Sequence, residues 1–277
     1  MASIHLIFKE DSELSSFLFV FRRIIEKGSD SMSLKEWIQE SNNIVFFGGA
    51  GVSTESNIPD FRSDNGLYKK KYPYPAEIML SHSFYLSHPK EFFDFYFNQM
   101  IYSDAKPNKA HLALSKLEQM GKLKAIVTQN IDGLHQMAGS KHVYELHGSV
   151  LRNTCTHCQA KYSLEDMKNY RDRDSDGIPR CPKCGAIIKP DVVLYEEGLD
   201  EYTLYSAIHA IEQADLLIVG GTSLVVYPAA GLINYFHGKH LVLINRDSTN
   251  MDSKADLVIH DSIGKVLDDS LCEVYVK

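Results

Sequence analysis

No apolar run in this 277-residue chain approaches the roughly 20 residues that a membrane-spanning helix needs. An integral membrane protein is therefore not expected. Cationic excess is also missing, since 29 lysines and arginines face 36 aspartates and glutamates, a formal net charge of −7. No basic field favours direct nucleic acid binding; an acidic surface suits cationic, lysine-rich peptides, and is also ordinary for a cytosolic enzyme. A secretory leader is not expected either. The early apolar stretch Phe17 to Phe21 is short and follows Glu10, Asp11 and Glu13, the wrong charge for such a leader. Repeats and low-complexity tracts are lacking. What remains is a cytoplasmic globular chain, 44% apolar and 23% charged, long enough to bury a substantial core in one or two domains.

Short apolar runs recur along the chain and end in small or polar residues. Ile44 to Phe47, Leu123 to Val127, Leu216 to Val219, Leu241 to Ile244 and Leu257 to Ile259 read as buried strands. Amphipathic patterns predict helices over Ser33 to Ser41 and around Ile263 to Leu271. This is the rhythm of an α/β fold, an open parallel sheet holding its ligand at the carboxyl ends of its strands. Two segments break the rhythm. Residues 64–108 space Phe92, Phe93, Phe95 and Tyr96 as a helix does, and residues 151–189 carry four of the five cysteines. Residues 1–31 read two ways: a helical extension over Leu14 to Lys27, or an unordered leader with Met32 as an alternative start.

The most informative stretch is Gly48 to Ser63, GGAGVSTESNIPDFRS. Glycines directly after a strand let backbone N–H groups approach a phosphate, and a following helix N-terminus adds a favourable dipole. Pro59-Asp60-Phe61-Arg62 then sets an acid, an aromatic ring and a guanidinium beside that loop. Farther on, Cys155-x-x-Cys158 and Cys181-x-x-Cys184 are separated by 22 residues. Paired CxxC turns supply the four soft ligands of tetrahedral zinc, and with no position left for water the metal is structural. Disulfides are the competing reading, disfavoured without a secretory leader. Cys272 stands apart and reads as a buried apolar residue.

Together with TQNIDGLH over Thr128 to His135, His147-Gly148-Ser149, Lys189-Pro190-Asp191-Val192-Val193, Gly221-Thr222-Ser223-Leu224 and Ile244-Asn245, these motifs resemble the sirtuin family of NAD-dependent protein lysine deacylases, in the family's order. The resemblance covers roughly residues 34–270. It implies a Rossmann-like open parallel sheet with a smaller helical plus zinc-ribbon domain inserted. The catalytic domain would span 32–277, its NAD-binding part comprising 32–63, 109–150 and 190–277 and its small domain 64–108 and 151–189.

The implied reaction is NAD-dependent removal of acetyl or other neutral acyl groups from protein lysines. The acyl oxygen attacks C1′ of the nicotinamide ribose, nicotinamide leaves, and a histidine-activated ribose hydroxyl attacks the resulting imidate. Free lysine and O-acyl-ADP-ribose result. By resemblance His147 is the general base, while Asn130 and Asp132 hold the nicotinamide and its ribose. Phe61 shields C1′, Ile58 and Ile131 line the nicotinamide pocket, and Ala50, Gly51, Thr54, Arg62 and Gln129 contact phosphate or ribose. Thr222 and Ser223 cradle the phosphates, Asn245 takes the adenosine ribose, and the backbone near Ile263 meets adenine. Val192 and Leu194 would wall the acyl-lysine channel, with a peptide strand pairing near Glu197 to Leu199. His135 reads as structural.

Three departures bear on this reading. Asn57 stands where the family has glycine, the least costly replacement if the backbone there is left-handed. Glu196 replaces another glycine and bears on peptide docking rather than chemistry. Family members that remove succinyl groups use a Tyr-x-x-Arg pair, whereas Tyr96-Phe97-Asn98-Gln99 ends in an amide that cannot offer a cationic fork. The alternative reading is a protein mono-ADP-ribosyltransferase or NAD hydrolase using the same pocket. A sensor doing no chemistry would have no need of His147.

Overall fold

The computed structural model describes residues 34–64 and 66–272, the side chain of residue 272 excepted. The readings of residues 1–31 and of the Cys272 side chain lie outside the described residues. In chain order the strands are β1 (Ile44–Gly48), β2 (Leu123–Thr128), β3 (Val143–Glu145), β4 (Gly148–Cys155), β5 (Lys161–Ser163), β6 (Ile188–Val192), β7 (Leu216–Gly220), β8 (His240–Ile244) and β9 (Leu257–Ile259). Six of them form one parallel sheet in the order β3-β2-β1-β7-β8-β9, and β5-β4-β6 form a small antiparallel sheet.

All five strands read from the sequence are present in the large sheet. The sixth, β3, is a three-residue edge strand whose residues are only half-buried. An edge strand that short carries no continuous apolar run, so hydropathy does not mark it.

Alternation along the central strands sends side chains to two cores. Ile44 and Phe46 of β1 pack with Leu34 and Ile38 of α1 (residues 34–40), Leu114 and Leu117 of α5 (Lys109–Gln119), and Leu267 of α9 (Ile263–Cys272). Val45 and Phe47 face the opposite side, against Ala207 and Ile211 of α8 (Glu201–Glu212). Between β1 and β7 lies the switch point, from which one half of the sheet builds toward β3 and the other toward β9. Connections leave the two strands in opposite directions there, opening a crevice at their carboxyl ends.

The small lobe gathers α2 (Ala76–Met79), α3 (His82–Ser87), α4 (Pro89–Gln99) and α7 (Leu164–Arg173) beside the antiparallel sheet. Its core is aromatic: Phe92, Phe93 and Tyr96 of α4 are almost wholly buried and contact Phe84, Met167 and Leu194 in one cluster. Strand β5 and helix α7 occupy the stretch between the two CxxC pairs. Helix α6 (Leu134–Met137) follows the TQNIDGLH loop. Among the described residues no helix is long and apolar enough to cross a membrane.

Candidate active site

A cleft of about 1390 Å³ lies over the carboxyl ends of β1, β2, β7 and β8 and runs under the small lobe. Every non-metal site residue expected from the sequence lines it: Ala50, Gly51, Thr54, Phe61, Arg62, Gln129, Asn130, Ile131, Asp132, His147, Val192, Leu194, Glu197, Thr222, Ser223, Asn245 and Ile263. Ile58 lines it as well.

The two glycine turns after β1 and β7 meet backbone to backbone. Gly51 N–H donates to the Gly221 carbonyl at 2.8 Å. Gly221 has φ +62°, and a Cβ there would lie 2.4 Å from the Val52 nitrogen. In place of the expected helix, two three-residue 3-10 turns, Ala50–Val52 and Thr54–Ser56, follow β1. Turns this short carry little macrodipole, so exposed backbone N–H groups are left to grip an anion. Asn57 closes the second turn at φ +62°, ψ +23°, the left-handed conformation that asparagine tolerates best after glycine.

On the β8 side, Thr222 N–H donates to Asn245 Oδ1 at 3.0 Å, which fixes the amide orientation. Asn245 Nδ2 is then buried with no partner among the described residues. A buried donor left open at the edge of a cleft is a place for a ligand oxygen. Gln129 Nε2 donates to Thr222 Oγ1 at 3.0 Å, bridging the two halves of the sheet. Glu55 accepts from Gly264 N–H at 3.0 Å, pinning the start of α9 beside Ile263.

Around the polar centre, Ser53 Oγ donates to Asp132 Oδ2 at 2.7 Å and accepts from Asn130 Nδ2 at 3.1 Å. Leu134 N–H donates to the other Asp132 oxygen at 2.9 Å. Ser53 thus joins the two side chains, a role that the sequence marks only by its place in the glycine-rich loop. His147 Nδ1 lies 2.9 Å from the Gln129 carbonyl. A carbonyl can only accept, so Nδ1 carries the proton and Nε2 keeps its lone pair. Burial pushes the His147 imidazole below the ordinary histidine value, partly countered by that carbonyl. The ring is therefore a neutral base at neutral pH.

Gly148 explains why the glycine follows this histidine. At φ +75° its Cβ would lie 2.0 Å from the Asp191 carbonyl oxygen. Without a side chain, β4 pairs Gly148 with Val192, and Val193 N–H reaches the His147 carbonyl at 3.0 Å. The segment carrying Val192 and Leu194, both buried, is thereby held against His147. Leu194 N–H donates to Glu197 Oε2 at 2.8 Å, and Lys189 Nζ lies 3.2 Å from the same oxygen. Burial opposes ionisation of Glu197, yet Leu194, His82 and Lys189 together hold its carboxyl below the usual range.

Gln99 lines the cleft, whereas Tyr96 is not among the lining residues and turns into the aromatic core. Gln99 Oε1 accepts from Tyr72 Oη at 3.0 Å. Tyr68, Arg246 and Leu151 also line the cleft, and nothing in the local sequence pattern singles them out.

Behind the cleft the His111 and His135 rings meet tilted at 59°, 4.7 Å between centroids, both almost wholly buried. Burial pushes His135 down to about 3, helped by His111, and His111 down to about 4 against the pull of Asp132 and Glu55. His135 does not line the cleft, which fits its structural reading. In the unfolded chain both rings titrate near ~6.5. Stability is then complete above that pH and falls as pH drops toward the folded values, because only the unfolded chain takes up the protons. Urea midpoints between pH 7 and pH 5 should show this fall. His135→Leu should make the slope shallower by about 1.4 kcal/mol per pH unit; an unchanged slope would remove the pair from the account.

The four cysteines converge as the spacing requires. Their sulfurs all lie within 4.8 Å of one another, with Cys155 Sγ and Cys184 Sγ 3.4 Å apart and Cys158 Sγ and Cys181 Sγ 3.6 Å apart. Those separations are far longer than a disulfide's ~2.05 Å and close to the edge of a thiolate tetrahedron around one zinc at ~2.3 Å. The donor set therefore fits the metal.

Comparison with known proteins finds similar chains and folds. Residues 49–228 match the profile of the Sir2 family. An NAD-dependent protein deacetylase of Clostridium acetobutylicum is 63% identical over 237 residues, covering 85% of this chain and 95% of the relative. Another, of Clostridium perfringens, is 66% identical over 237 residues, covering 84% and 95%. A Sir2 structure with a deacetylated peptide and 3′-O-acetyl ADP-ribose superimposes with a TM-score of 0.81 at 39% identity, covering 87% of this chain and 96% of the other. A Sir2 structure bound to acetylated peptide gives 0.79 at 37% identity, covering 89% and 99%.

Proposed function

The chain belongs to the Sir2 family, and from that membership we infer that it is an NAD-dependent protein deacetylase acting through the cleft at the switch point. It removes acetyl groups from protein lysines, consuming one NAD and one water and yielding nicotinamide, free lysine and O-acyl-ADP-ribose. Cys155, Cys158, Cys181 and Cys184 would hold one structural zinc. The observation that carries the site assignment is His147, its Nδ1 held on the Gln129 carbonyl and its ring in the same cleft as the open Asn245 donor and the glycine turns.

NAD, consumed as a substrate, supplies the electrophilic C1′ carbon of its nicotinamide ribose. We assign the Gly51 and Gly221 turns, with Thr54, Thr222 and Ser223, to the phosphates, and Asn245 Nδ2 to an adenosine ribose oxygen. Asn130 and Asp132, locked together through Ser53, hold the nicotinamide end against Ile58 and Ile131. Phe61 covers the reacting carbon. The acyl-lysine enters from the opposite side along Val192 and Leu194, its peptide backbone beside Glu197. His147 Nε2 takes the proton of a ribose hydroxyl, a transfer suited to a neutral imidazole. The four thiols also suit the reducing cytoplasm, where we place the enzyme.

Acyl choice follows from Gln99. A carboxylate-ended acyl group loses a charged hydrogen bond worth about 1.5–3 kcal/mol, so succinyl-lysine should turn over roughly tenfold or more slowly than acetyl-lysine. A panel of acyl-lysine peptides with NAD, both products followed by mass spectrometry, tests this. Equal succinyl and acetyl turnover would refute it.

A further inference from the structure

Tyr68 and Tyr195 are 127 positions apart in sequence, and their hydroxyls hydrogen-bond to each other at the mouth of the cleft. Each is mounted on one side of the reaction. Tyr68 N–H donates to the Phe61 carbonyl at 2.9 Å, and Leu67 N–H donates to the Asp60 carbonyl at 2.9 Å, tying Leu67 and Tyr68 back onto Asp60 and Phe61. The Tyr68 ring lies 5.4 Å from that of Phe61, and the Arg62 guanidinium sits 5.2 Å above it. Tyr68 is thus the backing of the ring assigned to cover C1′.

Tyr195 follows Leu194, a wall of the acyl channel. Its N–H donates to the Leu80 carbonyl and its carbonyl accepts from His82 N–H, both at 3.0 Å. The next residue, Glu196, holds φ +76°, a conformation disfavoured for a side chain of its kind. Its carboxylate accepts from Ser83 N–H at 2.8 Å and from Ser83 Oγ at 2.9 Å. The anchor is therefore fixed to the small lobe on both sides of Tyr195, and the hydroxyl pair links it directly to the loop carrying Phe61.

We propose that the Tyr68–Tyr195 pair is a positioning tie that keeps Phe61 over C1′ when acyl-lysine is seated against Leu194, so that the acyl oxygen rather than water captures that carbon. The proposal rests on the deacetylase reading of the cleft. When the tie is lost, the loop opens more readily and water competes. The water oxygen bonds to C1′ as the bond to nicotinamide breaks, giving ADP-ribose, nicotinamide and a proton. The acyl-lysine is then left unchanged. Deacetylation and NAD hydrolysis become uncoupled.

The test is the ratio of free ADP-ribose to O-acetyl-ADP-ribose formed with saturating acetyl-lysine peptide. Tyr195→Phe removes a hydroxyl from a ring that is 37% exposed, with no cavity left behind. The ratio should rise about threefold to tenfold, the range that one neutral hydrogen bond carries. Tyr68→Phe should do the same, and the double variant should be no worse than either single, since all three lack the same bond. A ratio unchanged in both singles, or effects that multiply in the double, would overturn the tie while leaving the deacetylase reading intact. A wild-type protein that makes no O-acetyl-ADP-ribose would overturn both.

Discussion

His147→Ala should lower formation of O-acyl-ADP-ribose by about a hundredfold to ten-thousandfold, the range that a positioned general base supplies. Steady release of nicotinamide with acyl peptide present should fall with it, because turnover stalls before the ribose hydroxyl is activated. The fold should survive, since the ring is only half-buried and its side chain holds the scaffold by one hydrogen bond to a carbonyl. Activity in the wild type should hold to a pH below the ordinary histidine range, because burial keeps the base neutral there. Nicotinamide release at full rate in the variant would show that His147 is not the base.

Why His147 could be picked from 12 histidines is instructive. Neither its own residue type nor its neighbours' hydropathy distinguishes it; the His-Gly-Ser motif does. The structure supplies the physical reason for that motif: Gly148 admits the Asp191 carbonyl and seats the strand ending at Val192 against the histidine. Strands with continuous apolar runs were equally legible, because burial on both faces of a parallel sheet demands them. The edge strand β3 was not, and neither was the replacement of a helix by 3-10 turns after β1. Ser53, whose bonds to Asn130 and Asp132 cross 77 and 79 positions, and the Tyr68–Tyr195 contact are long-range pairings. A periodicity cannot announce them, since they exist only once the loop and the small lobe meet.

Removal of zinc should have the largest effect on stability. A thiolate site of this kind binds its metal with about 10–16 kcal/mol, as much as the roughly 5–15 kcal/mol that separates a folded domain from its unfolded chain. Cys155 and Cys181 are nearly buried beside Ile188 of β6, so the small antiparallel sheet is organised around the metal. That sheet ends at Val192, which lines the cleft. Chelation, or Cys181→Ser, should therefore melt β4, β5 and β6 and abolish deacetylation even though none of these four cysteines lines the cleft. Metal analysis should find one zinc per chain, and circular dichroism should follow its loss. Full activity and an unchanged melting temperature in metal-free protein would contradict a structural zinc.

At the centre of the account, one cleft brings the acyl oxygen of a modified lysine to the sugar carbon of NAD, with His147 alongside. An acetyl-lysine peptide with a heavy-oxygen label at the acetyl carbonyl, incubated with NAD and resolved by mass spectrometry, reads that encounter directly. The label should appear in O-acetyl-ADP-ribose, formed in equal amount with nicotinamide and free lysine. Label recovered in free acetate, with ADP-ribose unlabelled, would mean that the two substrates never meet in this cleft as described.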